Sequence, residues 1–217
     1  MNYKDVYAML EEGEGFEIEF KRKVSSPEKI AKTLIALANT KGGTILFGID
    51  DDGSIIGIGS EKEEADMIEM AGKYFCDPPI EPTIEIISYR GKDIIAVIVD
   101  ESDQKPHHHL PRAGENEAVD TNVYIRVNDK TVEASKEVVR VLEAESPGAP
   151  PVRITIGEEE RRLFDHLDGN ERITVNEFAK LVNVSHRRAS RSLVGLVRAG
   201  VLRIHTHEKE DYFTRAF

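Results

Sequence analysis

The sequence predicts an α+β fold divided into two domains. Residues 1–145 alternate strand-like and helical patterns, and their strands are joined largely by hairpins, which is typical of an α+β domain with a mixed sheet. The stretch Glu145–Pro151 contains three prolines and separates this region from a second periodic one. We therefore place a first domain at 1–145, a linker at 146–152 and a small second domain at 153–217.

The elements of the first domain follow from capping residues and periodicity. Ser25–Glu28 has the pattern of a capped helix start, and apolar residues at helical spacing continue it for about three turns. Thr44–Ile49 is strand-like, and the acidic turn at 50–53 predicts a hairpin with 54–58. The remaining predicted elements are a helix at 61–75, a hairpin of strands 83–89 and 93–99, a strand at 123–127 and a closing helix at 134–143.

The second domain has the pattern of a helix-turn-helix. Helices are predicted at 158–167 and 174–181, and Thr174 with Glu177 forms a capping box. A tight turn at 183–185 leads into a third helix with an inward apolar stripe. Its outward residues are basic or polar, and the candidate nucleic-acid contacts among them are His186, Arg187, Arg188 and Arg191.

A hairpin after the third helix completes a resemblance to the winged-helix family of DNA-binding domains. Gly200 is the expected end of the helix, and strands are predicted at 201–205 and 212–215. The resemblance implies that the basic helix lies in the major groove of duplex DNA. The alternative is a domain that only mediates protein contacts. The acidic tip at 208–211 argues against minor-groove contact by the hairpin.

Composition limits the classes of function. The net charge of -11 argues against a polyanion partner for the chain as a whole, but residues 153–217 carry 12 Lys and Arg against 10 Asp and Glu. Cys76 is the single cysteine, so we expect no intrachain disulfide and a cytoplasmic location. We expect no export signal and no membrane span, since no apolar run approaches about 18 residues.

Carboxylates of the first domain form a candidate metal site. Alternation along 16–21 places Glu17, Glu19 and Lys21 on one face of a strand. Glu14 precedes this strand, and three aspartates at 50–52 follow the next one. Such oxygen ligands suit Mg²⁺ or Mn²⁺, and two such ions can clamp a phosphodiester. The alternative is a polar strand face followed by an ordinary acidic turn.

Four blocks in order resemble the Schlafen AlbA_2 domain family, over about residues 10 to 140. They are Glu-Ile-Glu-Phe-Lys at 17–21, Ala-Leu-Ala-Asn-Thr-Lys-Gly-Gly-Thr-Ile-Leu-Phe-Gly-Ile-Asp-Asp-Asp-Gly at 36–53, Lys-Pro-His-His-His-Leu at 105–110 and Tyr-Ile-Arg-Val at 124–127. The resemblance implies an α+β domain with Alba-like nucleic-acid binding. Members of this family are commonly catalogued as ATP-binding proteins, so the resemblance also implies ATP binding. The chain has no phosphate-binding loop of the G-x-x-x-x-G-K-[ST] type.

The same resemblance implies a catalytic triad. Some animal Schlafen proteins are metal-dependent ribonucleases, and their two glutamates and one aspartate match Glu14, Glu19 and Asp51, or less closely Asp50. Those nucleases contain two related lobes and this chain has one; a homodimer could supply the second.

Three further features concern phosphate or metal contact. Lys21 and Arg126 are candidate phosphate contacts, with surface ion pairs as the alternative. The tract His107–His109 is an incomplete set of metal ligands, because consecutive residues of a strand cannot all face one ion.

These observations predict a nucleic-acid-binding protein. The first hypothesis is a transcriptional regulator that binds DNA through its winged helix, while the AlbA_2-like domain adds nucleic-acid contacts, dimerisation or ligand sensing. The second is a metal-dependent endoribonuclease, in which RNA is the substrate. The third is a protein-interaction module whose acidic domain binds a basic partner.

Overall fold

The computed structural model of the protein describes residues 1–110, 122–146 and 148–217. It divides into two compact units, Met1–Glu133 and Ala134–Phe217. The division lies before the helix Lys136–Glu145, which the sequence analysis assigned to the first domain. This helix packs against a helix of the second unit, so it groups with that unit and not with the sheet domain.

The first unit contains three helices and eight strands within the residues that the structure describes. In chain order they are α1 (Tyr3–Glu12), β1 (Ile18–Lys21), α2 (Pro27–Ala38), β2 (Gly43–Phe47), α3 (Glu61–Tyr74), β3 (Cys76–Asp77), β4 (Thr83–Tyr89), β5 (Lys92–Val99), β6 (His108–His109), β7 (Tyr124–Val127) and β8 (Lys130–Glu133).

A mixed four-stranded sheet organises this unit. Its strand order is β1-β2-β5-β4, with β1 parallel to β2 and the other pairs antiparallel. Three further strand pairs are β3 with β6, β7 with β8 and, in the second unit, the hairpin described below. The mixture of helices with a mixed sheet confirms the predicted α+β class.

Apolar residues cover both faces of the sheet. Helices α2 and α3 pack on one face, where Leu34, Ile45 and Val97 belong to one buried cluster. Helix α1 contributes Val6 to a second cluster on the other face, with Leu46 and Ile94. The alternating residues of β2 and β5 thus serve both clusters, as expected for a sheet that is covered on both sides.

The predicted hairpin of 44–49 with 54–58 forms only in part, as a turn at 50–53 that is closed by hydrogen bonds such as Asp50 amide to Ser54 carbonyl. Beyond β2 the chain forms only one isolated bridge, between Ile49 and Ile55, and residues 56–60 are not in a strand. Strand β2 lies between β1 and β5, so both of its edges are already hydrogen-bonded and cannot accept another strand.

The second unit contains four helices and one two-stranded hairpin among its described residues. They are α4 (Lys136–Glu145), α5 (Glu158–Gly169), α6 (Val175–Val182), α7 (His186–Arg198), β9 (Leu202–His205) and β10 (Tyr212–Arg215). Its core is built from residues such as Leu163, Phe178, Leu193 and Phe213. Ile173 also bridges to Phe213, which attaches the segment before α6 to the hairpin.

No helix in the described ranges combines the length and the apolar composition that crossing a bilayer requires.

Candidate nucleic-acid interface

A short turn and a side-chain cap determine where helix α7 begins. Asn183 ends α6 in the left-handed conformation with φ 56°, a region that Asn tolerates better than most residues. The hydroxyl of Ser185 then accepts a hydrogen bond from the Arg188 amide at 3.3 Å and caps α7. The predicted turn and the start of the third helix are therefore confirmed.

One face of α7 is buried in the core of the second unit. Ala189, Leu193 and Leu196 are almost fully buried and pack in its apolar cluster, and Val197 packs against this cluster. The predicted inward stripe is confirmed. Because the helix is fixed by this stripe, the direction of every other side chain on it is also fixed.

The opposite face of α7 carries arginines. Arg187 and Arg191 are exposed, and Arg198, which the sequence analysis did not single out, is exposed as well. At 3.6 residues per turn these three positions lie within about 40° of one another on the helix and roughly opposite the buried stripe. We call this line of side chains the arginine ridge.

Arg188 is already paired inside the unit. Its guanidinium makes two contacts with the carboxylate of Glu159 in the first turn of α5, Nε to Oε2 at 3.2 Å and Nη2 to Oε1 at 2.6 Å. This fork-like geometry is the strong form of an arginine–carboxylate pair. The Arg188 side chain is nevertheless 61% exposed, so it remains accessible to an external anion.

The neighbouring Glu160 adds a second link between α5 and α7. Its Oε1 accepts a hydrogen bond from the Ser192 hydroxyl at 2.8 Å. Burial would by itself raise the pKa of Glu160, but the hydrogen bonds from Ser192 and from the Gly157 amide, together with the charge of Arg188, lower it below its ordinary value. The Glu160 carboxylate therefore stays ionised beside α7.

Helix α4 covers another side of α7. The buried hydroxyl of Ser190 donates to the Glu137 carboxylate and accepts from Arg140 Nη1 at 2.8 Å. With α4 on one flank and the acidic turn of α5 on the other, the arginine ridge is the part of α7 that is left facing solvent.

His186 and the hairpin complete the surroundings of α7. His186 is exposed at the first position of the helix, in a groove that Lys209 and Glu210 also line. At the hairpin, His205 stacks on Tyr212 with ring centroids 4.9 Å apart, and Arg172 lies over the same ring at 5.1 Å.

Two of the three carboxylates predicted to hold a metal, Glu14 and Glu19, have other partners in the first unit. Glu14 accepts a hydrogen bond from the Phe20 amide at 2.8 Å. Glu19 accepts from Lys21 Nζ at 2.6 Å through one oxygen and from the Arg126 guanidinium through the other. Asp51 is exposed in the turn after β2.

These residues do not fit a metal site. Within the described residues, which include Glu14, Glu19, Asp50 and Asp51, no group of three His, Cys, Asp or Glu side chains could hold an ion. Asp50 instead faces Arg22, whose Nη1 lies 2.7 Å from its Oδ2. Both oxygens of Glu19 are occupied by cationic side chains, so the geometry gives no support to a nuclease mechanism. The catalytic role that the family resemblance implies for Glu14, Glu19 and Asp51 stays a prediction.

Arg126, which the sequence predicts as a phosphate contact, lies in the interior of the first unit. The residue is 1% exposed, and its guanidinium donates to the Gly15 carbonyl at 2.6 Å as well as to Glu19. A side chain so enclosed cannot reach a nucleic-acid backbone. Lys21 keeps 28% of its side chain exposed, but its ammonium group is held by Glu19.

The histidine tract is part of the interior. His107 is buried, with Nδ1 2.7 Å from the Pro78 carbonyl and Nε2 2.7 Å from the Ser102 hydroxyl. Asn39 holds this segment in place, since its amide group exchanges two hydrogen bonds with the His107 backbone. Asn39 was not identified from the sequence, although it lies inside one of the family blocks.

A comparison with solved structures finds partial similarities. The N-terminal domain of a RecG-related protein from Nitrosomonas europaea, solved by NMR, matches with 23% identity and a TM-score of 0.44, over 54% of this chain and 86% of that one. The DIP2311 protein from Corynebacterium diphtheriae matches with 18% identity and a TM-score of 0.44, over 65% of this chain and 31% of that one. A comparison with curated proteins finds no match.

The family comparison covers most of the first unit. The family model described as Schlafen, AlbA_2 matches residues 14–135, more than half of the chain. This match begins before β1 and ends after β8, so it contains the whole four-stranded sheet. The chain belongs to the Schlafen AlbA_2 family.

Proposed function

We propose that the protein is a DNA-binding transcriptional regulator that places α7 in the major groove of duplex DNA. Membership in the AlbA_2 family indicates a nucleic-acid-related function, and the arginine ridge gives that function a candidate surface. The single observation that carries the proposal is this ridge, formed by Arg187, Arg191 and Arg198 opposite the buried stripe of α7.

The charge of the ridge favours a polyanionic partner. Within the described part of the chain neither Arg187 nor Arg191 forms an ion pair, whereas Arg188 does. Exposed like charges on one helix face repel one another, and phosphates remove that repulsion. The order of helix, turn, helix and hairpin supports a winged-helix mode of docking, in which the start of the second helix of the motif meets base edges and flanking phosphates.

In this proposal the contribution of Arg188 to DNA binding depends on its release from the Glu159 carboxylate. Its pairing with Glu159 orients the guanidinium beside the ridge, and a phosphate would have to compete with that carboxylate. We therefore assign the principal contacts to Arg187 and Arg191 and a secondary one to Arg188. His186, at the start of the helix, is placed to approach the same groove.

A double substitution tests the docking model. Arg187→Ala with Arg191→Ala is expected to weaken binding to a mixed-sequence DNA duplex by more than about tenfold at moderate salt, because two phosphate contacts are lost. The matched control is Arg161→Ala with Arg162→Ala, which removes the same charge from the exposed surface of α5. Affinity is measured by fluorescence anisotropy with a labelled duplex. Equal affinities of the two double variants would reject α7 as the docking element.

A further inference from the structure

The two edges of the four-stranded sheet are protected differently. At the β1 edge, the Phe20 amide donates to the Glu14 carboxylate and the Gly15 amide donates to the Ile18 carbonyl. At the other edge, β4 is seven residues long and has β5 as its only strand partner among the described residues. Natural sheets rarely leave a strand of this length unprotected, because its free groups pair readily with another strand.

The register of the β4–β5 hairpin identifies which groups of β4 face outward. Arg90 and Gly91 form the two-residue turn with φ angles of 51° and 76°, and Tyr89 is paired with Lys92. The pair that closes such a turn is hydrogen-bonded, and hydrogen-bonded pairs then alternate along the ladder. The amide and carbonyl groups of Ile84, Ile86 and Ser88 therefore point away from β5.

The centre of this edge is also apolar and exposed. Ile86 is 54% exposed, although it lies in the middle of the strand. No backbone hydrogen bond outside the sheet involves Ile84, Ile86 or Ser88 within the described ranges. An apolar side chain beside three unpaired peptide groups is the combination that favours addition of a strand.

We propose that the missing partner is β4 of a second copy of this chain. Antiparallel pairing about a two-fold axis at Ile86 places Ile86 opposite itself and Ile84 opposite Ser88 of the partner. In that register the three outward residues of each strand exchange hydrogen bonds with those of the partner, so up to six bonds form. The two four-stranded sheets then become one sheet of eight strands. A register shift of one residue, which places Ile86 opposite Ile87 of the partner, would bring outward groups opposite groups that already bond to β5.

The charges around β4 fit this self-pairing. Glu85 is the only charged residue of the strand, and it falls opposite Ile87 of the partner and not opposite another carboxylate. Glu81 and Arg90 lie just beyond opposite ends of the strand. The antiparallel arrangement brings each Glu81 next to the Arg90 of the other copy, which adds a favourable pair at both ends of the interface.

This dimer is independent of the proposed DNA binding, although the two are compatible. A two-fold dimer carries two copies of α7, and dimeric helix-turn-helix proteins read paired half-sites. The partner contact lies in the AlbA_2 unit, so its loss and the loss of DNA contacts on α7 can be measured separately.

The first test is the mass of the full chain in solution. Sedimentation equilibrium of the wild type is expected to give a dimer, and Ile86→Lys a monomer, because the axis would bring two ammonium groups together. Met70→Lys is the matched control, since Met70 is 46% exposed and belongs to α3 and not to β4; it should remain dimeric. A monomeric wild type at every concentration, or a dimeric Ile86→Lys, would overturn the proposal.

The second test measures the register. Residues of a hydrogen-bonded antiparallel pair have Cα atoms about 5.5 Å apart, within the range of a disulfide. Ile86→Cys should therefore form a covalent dimer under mild oxidation. Ser88→Cys is the control, because its two copies would lie about 13 Å apart along the strand. Since the native Cys76 is buried, it should not contribute. Equal crosslinking of the two variants, or none of Ile86→Cys, would overturn the register.

Discussion

Arginine and glutamate meet in both units, but in opposite environments. In the first unit Arg126 is 1% exposed and its charge is balanced by Glu19. In the second unit Arg188 is 61% exposed beside Glu159, and the ridge arginines next to it have no such partner within the described residues. The same residue types thus hold the first unit together and face solvent in the second.

The difference shows why charged motifs alone did not identify the site. A buried guanidinium must be paired, because an uncompensated charge in the interior costs several kcal/mol. Glu19 meets that requirement for Arg126 through one oxygen, and its other oxygen accepts from Lys21. Arginines on the outer face of a helix have no such requirement, so they remain available to a ligand.

The largest expected effect is a loss of stability when the buried pair of Glu19 and Arg126 is broken. Glu19→Ala should lower the free energy of unfolding by about 3 kcal/mol, because it leaves the Arg126 guanidinium buried without its counter-charge. Urea denaturation followed by circular dichroism measures this change. Glu17→Ala, an exposed change in the same segment, is the control and should alter stability by less than about 0.5 kcal/mol.

The sign of this result separates two interpretations of Glu19. A carboxylate kept for metal binding repels its neighbours when no metal is present, so its removal would stabilise the metal-free protein. A Glu19→Ala variant as stable as the wild type, or more stable, would contradict the structural role given to the pair.

A smaller change in stability is expected when the pH is lowered. Burial lowers the pKa of His107 and, aided by the charge of Lys32, that of His109. Below the ordinary histidine value near 6.5 the unfolded chain takes up protons that the folded chain does not, so stability falls as pH falls. Each histidine contributes at most about 1.4 kcal/mol per pH unit.

Denaturation at pH 6.5 and 5.5 checks this sign. His109→Gln removes one titrating group and should reduce the loss of stability over that interval, by at most about 1 kcal/mol. An identical loss in the variant and the wild type would show that His109 does not contribute.

The smallest effect concerns the competition for Arg188. Glu159→Gln removes the carboxylate charge and should strengthen DNA binding a few-fold, because Arg188 becomes free for a phosphate. Glu158→Gln changes the same charge at an exposed neighbouring position and serves as the control. An equal gain in both variants would indicate a general charge effect and not release of Arg188.

Much of the fold followed from local patterns. Ser26 and the periodic apolar residues after it predicted α2, and Thr174 with Glu177 predicted α6, because caps and amphipathic spacing act within a few residues. Helix α1 was not predicted, although Asn2 and Asp5 form its capping box. The turn at 50–53 is present, but the strand predicted at 54–58 is reduced to one bridge because other strands flank β2, a long-range property that turn residues do not encode.

The candidate site was predictable on the helix and not in the sheet domain. The outward direction of Arg187 and Arg191 follows from the period of one helix. The pairing of Glu19 with Arg126 joins residues more than one hundred positions apart, so no local pattern contains it. Helix α4 against Ser190 and the pairing of Arg188 with Glu159 are tertiary contacts of the same kind.

The salt dependence of DNA binding tests the central claim most directly. The slope of log K against log salt counts the phosphates neutralised, so Arg187→Ala should reduce its magnitude by about 0.9, while Lys21→Ala in the first unit should leave it unchanged. This result would establish that the arginine ridge of α7 meets the backbone. An unchanged slope in Arg187→Ala, with a reduced slope in Lys21→Ala, would contradict the account.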